Sequence, residues 1–205
     1  MAVLDTLLAP ERVAVVTMEI QRGVVGDLGC IPDLQKAAEA VGLVSNTARL
    51  LHAARAAGIR VIHNTAAFRE DRAGSFHNVP MVALLLKNPA HMRIGSPEVA
   101  LVPELGPAPD DLVSERLHGI SPFSGTSLDA MLRSEGATTI VAAGVSLNIG
   151  ILGLAIEAVN LGYDVVVPAD CTVGFPVEYG ESVLRHSLAH LASITASDAI
   201  LSAWS

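Results

Sequence analysis

Short runs of β-branched residues alternate along this chain with stretches whose apolar residues recur every three or four positions. Val13-Ala14-Val15-Val16 is the first run, bounded by Pro10 and by the polar Glu19, Gln21 and Arg22. It predicts a strand buried on both faces. Leu34, Ala38, Val41, Leu50, Leu51 and Ala54 keep helical spacing up to Gly58, so residues 34–57 predict a helix with a glycine C-cap. Arg60-Val61-Ile62-His63 reads as a second strand and Asp111-Leu112-Val113 as a short third. Thr126-Ser127-Leu128-Asp129 fits a capping box, opening a helix with Leu128, Met131 and Leu132 on its apolar face and Gly136 at its end. Residues 138–143 predict a fourth strand, 149–160 a buried helix and 164–167 a fifth strand. Val183, Leu184, Leu188 and Leu191 mark a last long helix, ahead of an edge strand at Ser193-Ile194-Thr195.

Strands alternating with helices imply right-handed crossovers. The expected fold is therefore α/β: a three-layer αβα, Rossmann-like arrangement with a mostly parallel six-stranded sheet. No repeat, low-complexity tract or linker interrupts the pattern, so residues 1–205 are expected to form one domain. The alternation lapses over residues 66–110, where one helical piece is expected near Met81 to Lys87 and loop elsewhere. Long excursions of this kind usually serve as lids or interface segments.

Residues 142–160 hold the most informative junction. An apolar strand turns at Gly144-Val145-Ser146 and runs at once into a helix, where a parallel sheet places its ligand crevice. A helix N-terminus there offers backbone N–H groups and a positive dipole end to an anion or oxyanion. The stretch carries no nucleophile.

Composition narrows the function classes. Apolar residues make up 51% of the 205 but aromatics only 3%, so the core is built from Ala, Val, Leu and Ile. A formal charge of −8 with no basic run argues against nucleic acid. The apolar runs are too short to span a bilayer, and the N-terminus lacks a basic leader, so no membrane role and a cytoplasmic location are expected. Cys30 and Cys171 make neither metal spacing nor a disulfide framework, and both are expected as reduced, inert thiols. Gly23-Val24-Val25-Gly26 is not a dinucleotide fingerprint, no GK[ST] or G-x-S-x-G occurs, and no cofactor is expected.

Glu19 is the most suggestive ionisable residue. It follows the first strand at the ligand edge, where lost hydration disfavours the charged form and suits acid or base work near neutral pH. An ordinary strand-end ion pair with Arg22 is the plainer alternative. Arg116 and His118 follow the third strand at the same edge, and either would steady a carboxylate or a developing anion. A surface Arg and a backbone-tied His are the alternatives. His63, Asn64, Asp71 and His77 lack convincing metal spacing, as do His186 and His190 without an HExxH frame, so no metal is expected. Cys171 would be a displaced nucleophile only with a base beside it.

With those residues placed, the chain resembles the isochorismatase-like hydrolase superfamily from Val13 to about Leu201. The resemblance rests on Val15-Val16-Thr17-Met18-Glu19-Ile20-Gln21, on Ser121-Pro122-Phe123-Ser124-Gly125-Thr126-Ser127-Leu128, and on Gly144-Val145, Gly162-Tyr163 and Asp170. It implies a catalytic Asp, Lys and Cys, at whose positions stand Glu19, Leu117 and Gly150. It is closest to the isochorismatase branch, which also carries Gly there and is understood to protonate a vinyl ether without a covalent nucleophile. The resemblance implies a hydrolase of a small polar or carboxylated metabolite, with Glu19 as general acid or base and Arg116 or His118 as its partner. Gln21, Asn64, Phe123, Val145, Ser146, Asn148 and Gly150 are the implied substrate contacts, and Val145–Ser146 an implied cis bond. A catalytically inactive relative that binds a metabolite or a partner protein is the alternative. Apolar residues 81–86 and Ala-rich helices fit a homodimer or homotetramer.

Overall fold

Every residue of β1 (Val13–Met18) is buried, as an unbroken apolar run requires in a strand covered on both sides. Its alternation divides two cores. Val13 and Val15 pack with Leu43, Leu50, Leu51 and Ala54, whereas Ala14 and Val16 pack with Leu128, Leu132, Leu154 and Ala155.

The computed structural model describes residues 2–205, with side chains described from residue 4 onward. After α1 (Ala2–Leu7) and β1 come α2 (Pro32–Ala40), α3 (Leu43–Ala56), β2 (Arg60–Ala66), α4 (Pro80–Leu85) and β3 (Leu112–Arg116). Then follow α5 (Leu128–Ser134), β4 (Thr139–Gly144), α6 (Leu152–Asn160), β5 (Asp164–Pro168), α7 (Val177–His186), β6 (Ser193–Thr195) and α8 (Ser197–Ala203). All strand pairs are parallel, in the order β3-β2-β1-β4-β5-β6. The expected six-stranded α/β sandwich is what forms.

Several boundaries differ from the sequence expectation, each for a local reason. The helix expected over 34–57 is two helices, broken where Gly42 takes a left-handed φ of 66°. The last helix starts earlier, at Val177, and stops at Ser187, leaving Leu188–His190 as a 3-10 turn. The capping box does not form. Thr126 Oγ1 accepts a bond from Leu128 N–H, while Asp129 turns to Tyr163 and Arg133.

Residues 66–110 are less loose than the sequence suggests. Ala66, Phe68, Val82, Leu86 and Met92 form a small core of their own, and Gln21 pairs with Leu101 as an isolated bridge. This segment covers the carboxyl edge of the sheet. Among the described residues, no helix is long and apolar enough to cross a membrane.

A buried polar chain locks the middle strands beneath that edge. His63, on β2, has no exposed surface; its Nδ1 lies 2.7 Å from Thr17 Oγ1 and its Nε2 3.1 Å from Asp111 Oδ2. Carboxylates only accept, so Nε2 carries the proton and Nδ1 accepts from the Thr17 hydroxyl. Asp111 also takes both guanidinium bonds of Arg55 and the Ala108 N–H. His63 and its partners are thereby spent on structure, and no metal-ligating cluster exists among the described residues.

Candidate active site

The chain leaves β1 toward β2 on one side, and β4 returns to pair with β1 on the other. Their carboxyl ends diverge at this switch point, where open α/β sheets bind ligands. Glu19 stands at the end of β1 and Gly144-Val145-Ser146 at the end of β4. Met18 C=O accepts from Val145 N–H at 3.0 Å, so the two backbones touch. A side chain on Gly144 would put its Cβ 2.2 Å from Met18 O, and Gly144 has a φ of 117°; only glycine fits.

Glu19 itself has a φ of 51°, a left-handed conformation costing a non-glycine residue about 1–2 kcal/mol. Its N–H is fixed to Asn64 O at 2.9 Å. Strain of this kind persists where surrounding contacts enforce it, and often at functional positions. The Val145–Ser146 bond is cis, as the resemblance implied.

Arg116, the last residue of β3, reaches across the end of β2 and donates from Nη2 to Glu19 Oε1 in a close ion pair. The side chains are only 9% and 16% exposed. Arg116 Nη1 also donates to Gly119 O at 2.5 Å. Burial pushes its pKa down to about 10, so it stays charged at neutral pH. The cation opposes the desolvation of Glu19 and favours its carboxylate form. Lost hydration and a neighbouring cation, the two influences expected on Glu19 from the sequence, thus meet at this position. Arg22, the alternative partner, pairs with Asp27 instead.

These groups face a pocket of about 110 Å³. Val145, Ser146 and Gly150 line it with Glu19 and Arg116, and its other walls are mainly apolar, including Ile31, Leu34, Phe68, Val82 and Ile149. Gly150 is close-packed on its own account, because a Cβ would lie 2.9 Å from Val145 O and 3.1 Å from Met18 Cε. It lies within the π turn that opens the helix, where Ile151 N–H bonds to Ser146 O at 3.0 Å. Leu147 N–H is held by Val173 O and Ile149 N–H by Ser146 O, so the turn does not present the full row of free donors expected of it.

The remaining sequence candidates lie outside this lining. Gln21 is completely buried; its amide donates to Ala66 O and Val99 O and accepts from Ala66 N–H. It clamps the cover to the sheet and has no group left for substrate. His118 packs its ring, tilted, against Phe76 with centroids 4.6 Å apart, and of the two candidate partners Arg116 is the one that meets Glu19. Phe123 packs in the core against Tyr163. Asn64 is buried beneath the strand ends with both amide atoms unpartnered, and Asn148 Oδ1 is buried near Gly174. Leu117 lies against Gly74. Cys171 is buried, and burial with Asp170 pushes its thiol up to about 12, ending its candidacy as a nucleophile. The cover's Phe68, Met81, Val82, Leu85, His91 and Met92 were missed. Met81, Val82 and Leu85 keep helical spacing, which signals an apolar face without saying what it covers.

Residues 13–199 match the family model for the Isochorismatase domain. The chain belongs to the isochorismatase family. Ureidoacrylate amidohydrolase RutB of Rhizobium rhizogenes is 29% identical over 178 residues, covering 80% of this chain and 72% of that protein. YwoC of Bacillus subtilis, described as an uncharacterized isochorismatase family protein, is 41% identical over 85 residues, 41% of this chain and 44% of that one. Among solved structures, an isochorismatase family protein from Burkholderia thailandensis superposes with a TM-score of 0.79 at 28% identity, covering 96% and 97% of the two chains. N-carbamoylsarcosine amidase from Thermoplasma acidophilum shares the fold, with a TM-score of 0.70 at 21% identity and coverage of 91% and 97%. In this chain, the pocket at the β1–β4 switch point combines one ion pair with mainly apolar walls.

Proposed function

We propose that this isochorismatase-family chain is a hydrolase that activates water with Glu19 and uses no covalent cysteine. The observation that carries the reading is the buried Glu19–Arg116 pair facing the pocket, beside a glycine at position 150. A carboxylate paired with a guanidinium is ionised at rest, which suits a general base better than the proton donor a vinyl ether needs. Carbonyl–nitrogen cleavage is therefore favoured over vinyl-ether cleavage, in keeping with the amidohydrolase among the relatives.

Charge balance supports the step. Glu19 takes a proton from water as the oxygen attacks the carbonyl carbon, and an oxyanion forms on the substrate. Protonation of Glu19 releases Arg116 from its partner, so its charge is available to the oxyanion. The proton then passes from Glu19 to the departing nitrogen. One negative charge faces the one cation throughout.

The same balance narrows the substrate. Of the polar or carboxylated molecules expected from sequence, an uncharged polar head on an apolar body suits the pocket best. Arg116 is already paired, and burial and Arg72 push the His91 imidazole toward its neutral form, so a carboxylate finds no spare cation in the lining. Screening neutral amides and carbamoyl compounds against carboxylated analogues and vinyl ethers, with products read by mass spectrometry, tests this. Turnover confined to carboxylated compounds or vinyl ethers contradicts the reading. Binding without turnover across all of them would favour an inactive metabolite-binding relative. We also propose a homodimer or homotetramer, supported by exposed Phe76, Met81, Leu84 and Ile94 on the cover. Light scattering that shows only monomer overturns that assembly.

A further inference from the structure

The hydrolytic reading leaves one pair of chemical groups in the pocket unused. Cys30, on the loop before α2, places its Sγ 3.8 Å from Nδ1 of His91, on the cover. Both residues line the cavity that holds Glu19 and Arg116, and the Cys30 residue is exposed at its mouth. His91 is held in place: Arg72 Nη1 donates to its carbonyl at 3.1 Å, and its ring stacks on Phe68 with centroids 6.3 Å apart. Two independent features thus coincide. A thiol has a base within reach, and apolar walls stand ready to hold a ligand beside it.

We propose that Cys30 and His91 form a second reactive centre at the mouth of the pocket, one that captures apolar α,β-unsaturated carbonyl compounds as covalent thioethers. Addition of this kind needs no leaving group and no oxidant, only a thiol and a proton shuttle. Sulfur bonds to the β-carbon while the C=C electron pair moves onto the carbonyl oxygen as an enolate. The thiol proton passes to His91 Nδ1 and then to the α-carbon, which restores the carbonyl and the neutral imidazole. Atoms and charge balance within the thiol, the imidazole and the ligand.

Selectivity comes from binding. Burial pushes the Cys30 thiol up and the His91 imidazole down, with Arg72 adding to the latter and Glu98 opposing it. A neutral thiol is a poor nucleophile toward reagents arriving from bulk water. Proton transfer to His91 is useful only while an electrophile sits in the apolar chamber. The adduct then occupies space facing Glu19, so capture closes the hydrolytic site. The pair is a brake on the pocket, sensitive to electrophiles.

The full chain is incubated with 2-cyclohexenone, and the adduct is followed and mapped by mass spectrometry. One adduct, on Cys30 and not on buried Cys171, is expected, with a rate that saturates as enone rises. Cyclohexanone, which fills the pocket without reacting, slows it. His91→Asn lowers the rate by at least about tenfold, as loss of a general base should, with an unchanged melting temperature showing that the variant is folded. A rate linear in enone, indifferent to cyclohexanone, or equal in His91→Asn overturns the proposal. Saturation and protection are read on the unmodified chain, so the test does not depend on that variant folding. No readout involves turnover, so the hydrolytic reading stands or falls separately.

Discussion

Replacing Arg116 by Met removes the cation from Glu19 while keeping a side chain of similar length. With the two side chains 9% and 16% exposed, breaking a buried pair from one side costs about 3–5 kcal/mol, because the other charge is stranded. Glu19 borders a pocket that water can enter, which discounts that figure to about 2 kcal/mol. The lost bond from Arg116 to Gly119 O adds about 1 kcal/mol. The expected total is about 3 kcal/mol, a fall in melting temperature of roughly 6–12 °C for a chain of this length. The double variant Glu19→Gln/Arg116→Met removes the stranded charge and should recover about 2 kcal/mol of the loss, a coupling visible in a double-mutant cycle. Urea unfolding followed by fluorescence of Trp204, the only tryptophan, supplies the free energies. A single-variant loss under about 1 kcal/mol, with no coupling, would mean that the pair is solvated. The electrostatic basis of the site would then be wrong.

Other parts of the structure predict further outcomes. Gln21→Ala removes three amide bonds to Ala66 and Val99 and should cost about 2–3 kcal/mol; limited proteolysis should then cut within residues 66–110 faster than the chain unfolds, and unchanged cleavage would deny the clamp. Burial holds the His63 pKa below its ordinary value, so below about pH 6.5 the unfolded chain takes up a proton that the folded chain does not. Stability should therefore fall as pH drops below about 6.5, by up to about 1.4 kcal/mol per unit, until the lower folded pKa is reached; His91 shifts the same way. His63→Asn should flatten that slope, and an equal slope in the variant would rule out His63 as its source. Gly150→Cys forces a Cβ to 2.9 Å from Val145 O, so it should destabilise by about 1–3 kcal/mol in thermal melts. A stable variant would show that the turn has room for the cysteine that the family resemblance implied at this position.

The sheet was legible because its central strands β1 and β4 are buried on both faces, leaving runs such as Val13–Val16 and Ile140–Ala143 with no polar interruption. The switch point followed from strand alternation, and with it the positions of Glu19 and Ser146. Helix ends were less legible. Gly42 interrupts a pattern whose apolar period continues through it, and periodicity cannot register a single left-handed residue. The polar candidates divided by partner, which spacing does not reveal. Gln21 and His63 have the residue types of a site but bond to Ala66, Thr17 and Asp111. Arg116 and His118 are two residues apart on one strand end, and one turns to Glu19 while the other turns to Phe76. The Cys30–His91 contact spans 61 positions and has no local signature.

The most direct test of the account is kcat/KM of Glu19→Gln on a neutral amide or carbamoyl substrate of the wild-type chain. Gln keeps the shape and the contact distance but cannot accept a proton from water. The expected result is a fall of about 10²–10⁴-fold, with substrate binding retained. A Glu19→Gln enzyme within about tenfold of wild type would contradict the central claim that Glu19 activates the attacking water.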